Sequence, residues 1–115
     1  MADCLFCKIV AGQIPAKILK RTEEALAFPD IDAKAPVHVL VIPTRHIAAV
    51  RNAKGDDGER VLGRLLSFAA EVASELGLDG EGYRIVTNTG RNAGQSVDHL
   101  HLHVLGGRKL SWPPG

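Results

Sequence analysis

No stretch of this chain is apolar for long enough to cross a bilayer. The run Val39 to Ile42 ends at Pro43, far short of the roughly 20 residues that a spanning helix needs. The opening Met1-Ala2-Asp3-Cys4 has neither the basic region nor the apolar stretch of a secretory signal, so a cytoplasmic location is expected. Lys and Arg form no cluster, and they exceed Asp and Glu by only 14 − 13 = 1. That argues against a nucleic-acid footprint or a polybasic membrane patch. There is no internal repeat and no regular strand–helix alternation, so a doubly wound sheet is not expected. Cysteine is scarce too: the two present are spaced as Cys4-Leu5-Phe6-Cys7. In a reducing compartment that spacing points to metal or redox chemistry more than to a structural disulfide.

What is present suffices for one globular domain spanning residues 1–115. Hydrophobic residues make up 45% and charged residues 23%, which excludes a disordered chain. Three of the five histidines, His99, His101 and His103, fall at every second position between Asp98 and Leu105. Period 2 is the strand period, so a strand over 98–105 would send all three imidazoles to one face and Leu100, Leu102 and Val104 to the other. Same-face neighbours on a strand are roughly 6–7 Å apart. Three such rings are too spread to ligate one metal and well placed to line a groove. A chance cluster or a histidine-rich metal tract lacks this two-faced alternation.

The remaining elements follow from local signals. A short helix is expected over Asp3–Val10 with Asp3 as N-cap and Gly12 at its end. Lys17–Arg21 and Ala25–Phe28 read as a strand pair around Thr22. Val37–Ile42 reads as a central strand, with His38 on the face of Leu40 and Ile42. A helical turn is expected over His46–Val50. Asp56 and Glu59 have the form of a capping box, opening a helix from Gly58 to Leu76. Its apolar face would be Val61, Leu62, Leu65, Leu66, Ala69, Val72, Ala73 and Leu76. A strand over Tyr83–Asn88 and a Gly/Asn loop over Thr89–Ser96 lead into the histidine segment. One long helix among runs of strands gives an α+β fold with an antiparallel sheet.

Several of these segments carry residues suited to chemistry. The loop Asn88 to Ser96 contains Gly90 and Gly94, which permit turns whose N–H groups hold an anion, and Ser96 adds a hydroxyl. A phosphate held there would lie over one or two imidazoles, and histidine can attack phosphorus or transfer protons. The plain alternative is an ordinary turn. Cys4 and Cys7 form half of a zinc site. His46 and one histidine of the 99–103 segment would complete it by elimination; a redox pair or two inert cysteines are the alternatives. His38 is either a buried core histidine or one that orients the catalytic imidazoles. Asp30 is either a turn residue or a carboxylate accepting from two ribose hydroxyls.

The string Gly94-Gln95-Ser96-Val97, His99, His101, His103-Val104-Leu105-Gly106-Gly107-Arg108 and the ending Trp112-Pro113-Pro114-Gly115 resemble the histidine-triad (HIT) proteins, specifically the Hint branch. Ile14-Pro15-Ala16-Lys17, Ala27-Phe28, Asp30-Ile31, Ala35-Pro36, His38, Leu40 to Pro43 and His46-Ile47 extend the likeness along the chain. The resemblance implies a five-stranded antiparallel sheet with one long helix and one short N-terminal helix. It further implies a homodimer that joins two sheets into a ten-stranded one. It implies hydrolysis of purine nucleoside 5′-phosphoramidates to AMP or GMP and an amine. His101 would be the nucleophile forming a nucleotidyl-histidine intermediate, with Ser96 and His103 by the leaving group and His38 and His99 completing the cluster. Leu5, Phe6, Ile9, Ile31 and Leu40 would line the base pocket, Asp30 would hold the ribose, and Asn88, Gly94, Gln95 and Ser96 the phosphate. Trp112 would approach the partner's site. No metal is needed for that chemistry.

The chain departs from the branch at Asp98, where an aromatic residue is common; Asp98 is expected to point away from the histidine face. It departs again at Pro29, beside the ribose edge. The Cys4/Cys7 pair matches bacterial relatives that bind structural zinc, which implies Cys4, Cys7, His46 and His99 as a closed Cys₂His₂ site. Two other functions stand beside the hydrolase: a nucleotide-binding or zinc-stabilised interaction module, and a dinucleoside polyphosphate hydrolase as in the Fhit branch.

Overall fold

The computed structural model describes residues 3–115; the first two residues of the stretch read for a secretory signal lie outside it. Five antiparallel strands form one sheet: β1 (Lys20–Arg21), β2 (Ala25–Pro29), β3 (Val37–Pro43), β4 (Tyr83–Val86) and β5 (Leu102–Gly106). Their order is β1-β2-β3-β5-β4. β3 is therefore central, as its near-continuous apolarity requires. Helices α1 (Leu5–Val10) and α2 (Gly55–Glu75) lie on opposite faces. Among the described residues no helix is long and apolar enough to cross a membrane.

The pleat sorts side chains strictly by parity. Ala25, Ala27, Val39 and Val41 pack with Leu65, Phe68, Ala69 and Val72 of α2. Their neighbours Leu26, Phe28, Leu40 and Ile42 pack with Phe6 and Ile9 of α1. On β5, Leu102 and Val104 join the α2 side. His38 and His103 are thereby directed to the α1 side, where the short helix covers only part of the sheet and leaves room for a site.

Several sequence expectations are corrected. The histidine strand begins at Leu102, not Asp98. The ladder with β3 ends at Val41–Leu102, and the Leu100 N–H donates to the Ile47 carbonyl instead, at 2.6 Å. The two-faced alternation nonetheless continues: Leu100 is buried in the α2 core, and His99 and His101 turn their rings to Phe6. No helical turn forms over His46–Val50; a 3₁₀ turn follows at Val50–Asn52. The carbonyls of Ile47 and Ala48 accept from Leu100 and Gln95, so they do not serve a local helix.

The cap of α1 is Cys4, whose sulfur accepts the Cys7 N–H, and not Asp3. α2 opens at Gly55 with no side-chain cap; Asp56 and Asp57 lie within its first turn, where their charges favour the positive helix end. Gly58 is required there, because a Cβ would stand 2.3 Å from the Ala53 carbonyl carbon. The strand expected over Tyr83–Asn88 stops at Val86. On α2, Leu66 and Leu76 are solvent-facing, at 53% and 38% exposure, while Phe68 is in the core.

The helix face is tested by two adjacent leucines. Leu65→Ala removes a core side chain and should cost about 2–5 kcal/mol in urea unfolding. Leu66→Ala should stay within about 0.5 kcal/mol of wild type. Equal losses at both positions would contradict the packing described.

Candidate functional site

His38 and His103 face each other diagonally across β3 and β5, since His103 pairs with Leu40 and His38 with Leu105. Aromatic side chains can bridge that diagonal, and His38 Nε2 lies 2.9 Å from His103 Nδ1. The opposite side of the His38 ring settles where the proton is. There the Lys34 backbone N–H donates to His38 Nδ1 at 3.0 Å. Neutral His38 therefore carries its proton on Nε2 and donates to His103 Nδ1, which leaves His103 protonated on Nε2. Asp30 Oδ2, 3.3 Å from His38 Nε2, is a second acceptor beside that proton. Burial, reinforced by His101 and His38 and opposed by Asp30, pushes His103 down to about 4. Burial also lowers His38, against the pull of Asp30. Both rings are neutral at pH 7.

His101 is fixed differently. Its Nδ1 is 2.8 Å from the His99 carbonyl, which can only accept, so the proton sits on Nδ1 and Nε2 keeps a free lone pair. The ring is 3% exposed and stands edge-on to Phe6 and His103. His99 is the reverse case. Its Nε2 donates to the Pro43 carbonyl at 3.0 Å, so the lone pair is on Nδ1. Nδ1 lies 3.3 Å from Cys4 Sγ and 3.6 Å from Cys7 Sγ, while His46 Nδ1 lies 3.3 Å from Cys7 Sγ. The four ligand atoms of Cys4, Cys7, His46 and His99 all fall within 4.8 Å of one another and could hold a metal ion.

Asp30, His38 and His103 also converge within that distance, but the hydrogen bonds oppose a metal there. A neutral His38 binding metal through Nε2 would need its proton on Nδ1, facing the Lys34 N–H donor. One cluster presents lone pairs inward and the other presents a proton. The bond at each ring's second nitrogen makes the difference.

Two cavities meet at the histidines. One, about 390 Å³, is apolar, lined among others by Phe6, Ile9, Phe28, Leu40 and His101. The other, about 580 Å³, is polar and carries Lys34, His38, Arg84, Asn88 and Arg108. Asp30, Ser96 and His103 line both and so mark the boundary between them.

The HIT domain family model matches residues 11–110. The chain belongs to the HIT family. An uncharacterized HIT-like protein of Synechocystis sp. is 48% identical over 113 residues, covering 98% of this chain and 97% of the relative. The crystal structure of a HIT family hydrolase from Legionella pneumophila is similar at TM-score 0.94 and 46% identity, covering 98% of this chain and all of that one. A histidine triad nucleotide-binding protein from Candida albicans is similar at TM-score 0.82 and 34% identity, covering 96% and 83%.

Against the expectations from sequence, this HIT protein brings Leu5, Phe6, Ile9, Ile31, Leu40, Asp30, Ser96, His101 and His103 to the apolar cavity, and Asn88 to the polar one. Leu5 and Ile31 stand at its solvent edge, both exposed. Gly94 and Gln95 line neither cavity. Their N–H groups bond within the loop, to Arg91 and Gly90 carbonyls, with Gly94 in the left-handed conformation that this turn needs. The Gln95 side chain braces the loop, accepting from Gly90 N–H and donating to Ala48 and Val97 carbonyls.

Asp98 is exposed and borders a surface recess with Cys4 and His46. Trp112 is 79% exposed beneath the Arg84 guanidinium. The sequence reading missed Phe28, Ile14 and Val97 as cavity residues. Phe28 was signalled by its parity with Leu26 on β2; Ile14 and Val97, in irregular segments, carried no such signal.

The neutral histidines set a pH dependence. A buried ring lowered to about 4 binds its proton after the unfolded chain does, so stability rises with pH between about 4 and about 6.5 and is level above. NMR titration should place the His103 midpoint near the lower value, and His103→Gln should flatten the stability slope in that window. A His103 midpoint at or above the unfolded value would contradict this environment.

Proposed function

We propose that the protein is a hydrolase of purine nucleoside 5′-phosphoramidates working through a nucleotidyl-histidine intermediate. The observation that carries this reading is the meeting of an apolar and a polar cavity at Asp30, Ser96 and His103, with the free Nε2 of His101 beside them. A purine would stack among Phe6, Phe28 and Leu40, the ribose hydroxyls would bond Asp30, and the phosphorus would sit at the boundary. The nucleotide-binding name of the Candida relative agrees with such a ligand.

His101 Nε2 attacks phosphorus and the P–N bond breaks. The amine departs into the polar cavity with a solvent proton relayed by the Ser96 hydroxyl. His103, neutral with its proton on Nε2, donates to a phosphoryl oxygen and stabilises the charge that grows there. Water then attacks phosphorus and frees His101, giving the nucleoside monophosphate. Two displacements replace one difficult step. Gly94 and Gln95 contribute by shaping the loop that presents Ser96.

The metal is proposed to be zinc. Zinc–sulfur bonds of about 2.3 Å and zinc–nitrogen bonds of about 2.0–2.1 Å at tetrahedral angles place sulfur and nitrogen about 3.5 Å apart, against 3.3, 3.3 and 3.6 Å here. Four protein ligands close such a site, so it would be structural. Both cysteines are free thiols, which suits a reducing, cytoplasmic setting. Strand β4 ends the sheet with one edge unpaired, and we infer that a second copy joins it there as a homodimer. The cations Lys34, Arg84 and Arg108 of the polar cavity favour one second reading, a dinucleoside polyphosphate hydrolase with an anionic leaving group.

His101→Ala should lower turnover of an adenosine phosphoramidate on the order of 10⁴-fold or more while AMP still binds. Equal rates would remove the nucleophile assignment. Faster cleavage of a diadenosine polyphosphate than of any phosphoramidate would favour the second reading. Elemental analysis should find zinc in wild type and none in Cys4→Ser/Cys7→Ser; a metal-free wild type after zinc addition would contradict the metal assignment.

A further inference from the structure

His99 belongs to both halves of the site. Its ring is fully buried and offers Nδ1 to the two cysteine sulfurs, with Nε2–H on the Pro43 carbonyl. Its own backbone carbonyl accepts the Nδ1–H of His101. The peptide that dictates the nucleophile's tautomer is thus one residue's backbone, and that residue's side chain faces the metal ligands. The same Phe6 ring, between Cys4 and Cys7 in sequence, packs edge-on against both imidazoles, at 5.8 and 5.3 Å between centroids.

Residues 98–101 lie outside the sheet ladder, which begins at Leu102. The His99 carbonyl is therefore not aimed by strand pairing. In this stretch the backbone is tied by the Leu100 N–H to Ile47, beside His46. The Thr87 hydroxyl donates to the His101 carbonyl at 2.9 Å and the Leu100 side chain is buried in the core. On the N-terminal side of the His99–Leu100 peptide the anchor is the His99 ring, held between the Pro43 carbonyl and the two cysteine sulfurs. A metal on Cys4, Cys7, His46 and His99 would join the start of α1, the irregular segment after β3 and the approach to β5 at one point.

We propose that the metal centre positions the nucleophile: ligation of His99 holds its carbonyl where His101 must keep its proton on Nδ1 and present Nε2 to phosphorus. His99 is then a positioning residue, acting through His101, and the metal takes no part in the chemical step. This rests on the reading that the cluster binds zinc and goes beyond a structural role for it.

The test compares zinc-loaded protein with chelator-stripped wild type and with Cys4→Ser/Cys7→Ser, all ¹⁵N-histidine labelled. Long-range ¹H–¹⁵N spectra report the His101 tautomer without any turnover. The loaded protein should show His101 as Nδ1–H alone. The metal-free forms, shown folded by their backbone amide spectra, should show mixed tautomers. Their single-turnover transfer of AMP from an adenosine phosphoramidate to His101 should fall roughly tenfold, the worth of one hydrogen bond, with AMP affinity unchanged.

A folded metal-free protein that keeps the Nδ1–H tautomer overturns the proposal, and so does one that keeps the full transfer rate. If metal removal unfolds the chain, zinc- and cadmium-loaded proteins are compared. The longer cadmium bonds should shift the His101 nitrogen signals, and identical signals overturn the coupling. Absence of any bound metal by elemental analysis defeats the zinc reading itself, and lack of phosphoramidate turnover leaves the tautomer comparison decisive.

Discussion

A neutral imidazole has two nitrogens and one proton, and the structure of this protein depends on which nitrogen holds it. Backbone groups decide. The Lys34 N–H at His38 Nδ1, the His99 carbonyl at His101 Nδ1 and the Pro43 carbonyl at His99 Nε2 each occupy one side of a ring and define the other. From these three bonds follow a donor at His103, a lone pair at His101 and a lone pair at His99. Burial lowers His38, His99 and His103 and keeps those three rings neutral at pH 7. Side chains that look equivalent in sequence thereby acquire opposite roles.

The fold places those backbone groups. Parity along β2 and β3 sends one set of side chains to α2 and the other to α1. α2 spans 21 residues and α1 only 6, so one face of the sheet is fully covered and the other is covered in part. The uncovered part, between Phe6 and the C-terminal segment, becomes the two cavities. The histidines sit on the α1 side of the two central strands, at the rim of an apolar core that desolvates them. Where the chain leaves the ladder before Leu102, the backbone bonds Ile47 instead of a strand, and His99 meets Cys4, Cys7 and His46 there.

Much of this was legible in the sequence. The period-2 pattern of β3 and of the segment before and within β5 gave the sheet faces, and the period-3.6 pattern gave α2. The spacing of Cys4 and Cys7 pointed to half of a metal site, and the structure gathers His46 and His99 with them into a cluster that could hold a metal ion. The illegible parts share a cause. The 44–50 segment takes no helix because its carbonyls serve Leu100 and Gln95, some 50 residues on. The histidine roles could not be read from equal spacing, since they are set by backbone atoms of Lys34, Pro43 and His99. Glycines in the 88–96 loop signalled N–H groups open to an anion, while the N–H groups of Gly94 and Gln95 bond the Arg91 and Gly90 carbonyls inside the loop, which loop composition does not reveal.

Neutron diffraction from a deuterated crystal near pH 7 locates these protons directly. Deuterium is expected on Nε2 of His38, His99 and His103 and on Nδ1 of His101. Deuterium on Nε2 of His101, or on Nδ1 of His103, would contradict the roles assigned to these rings.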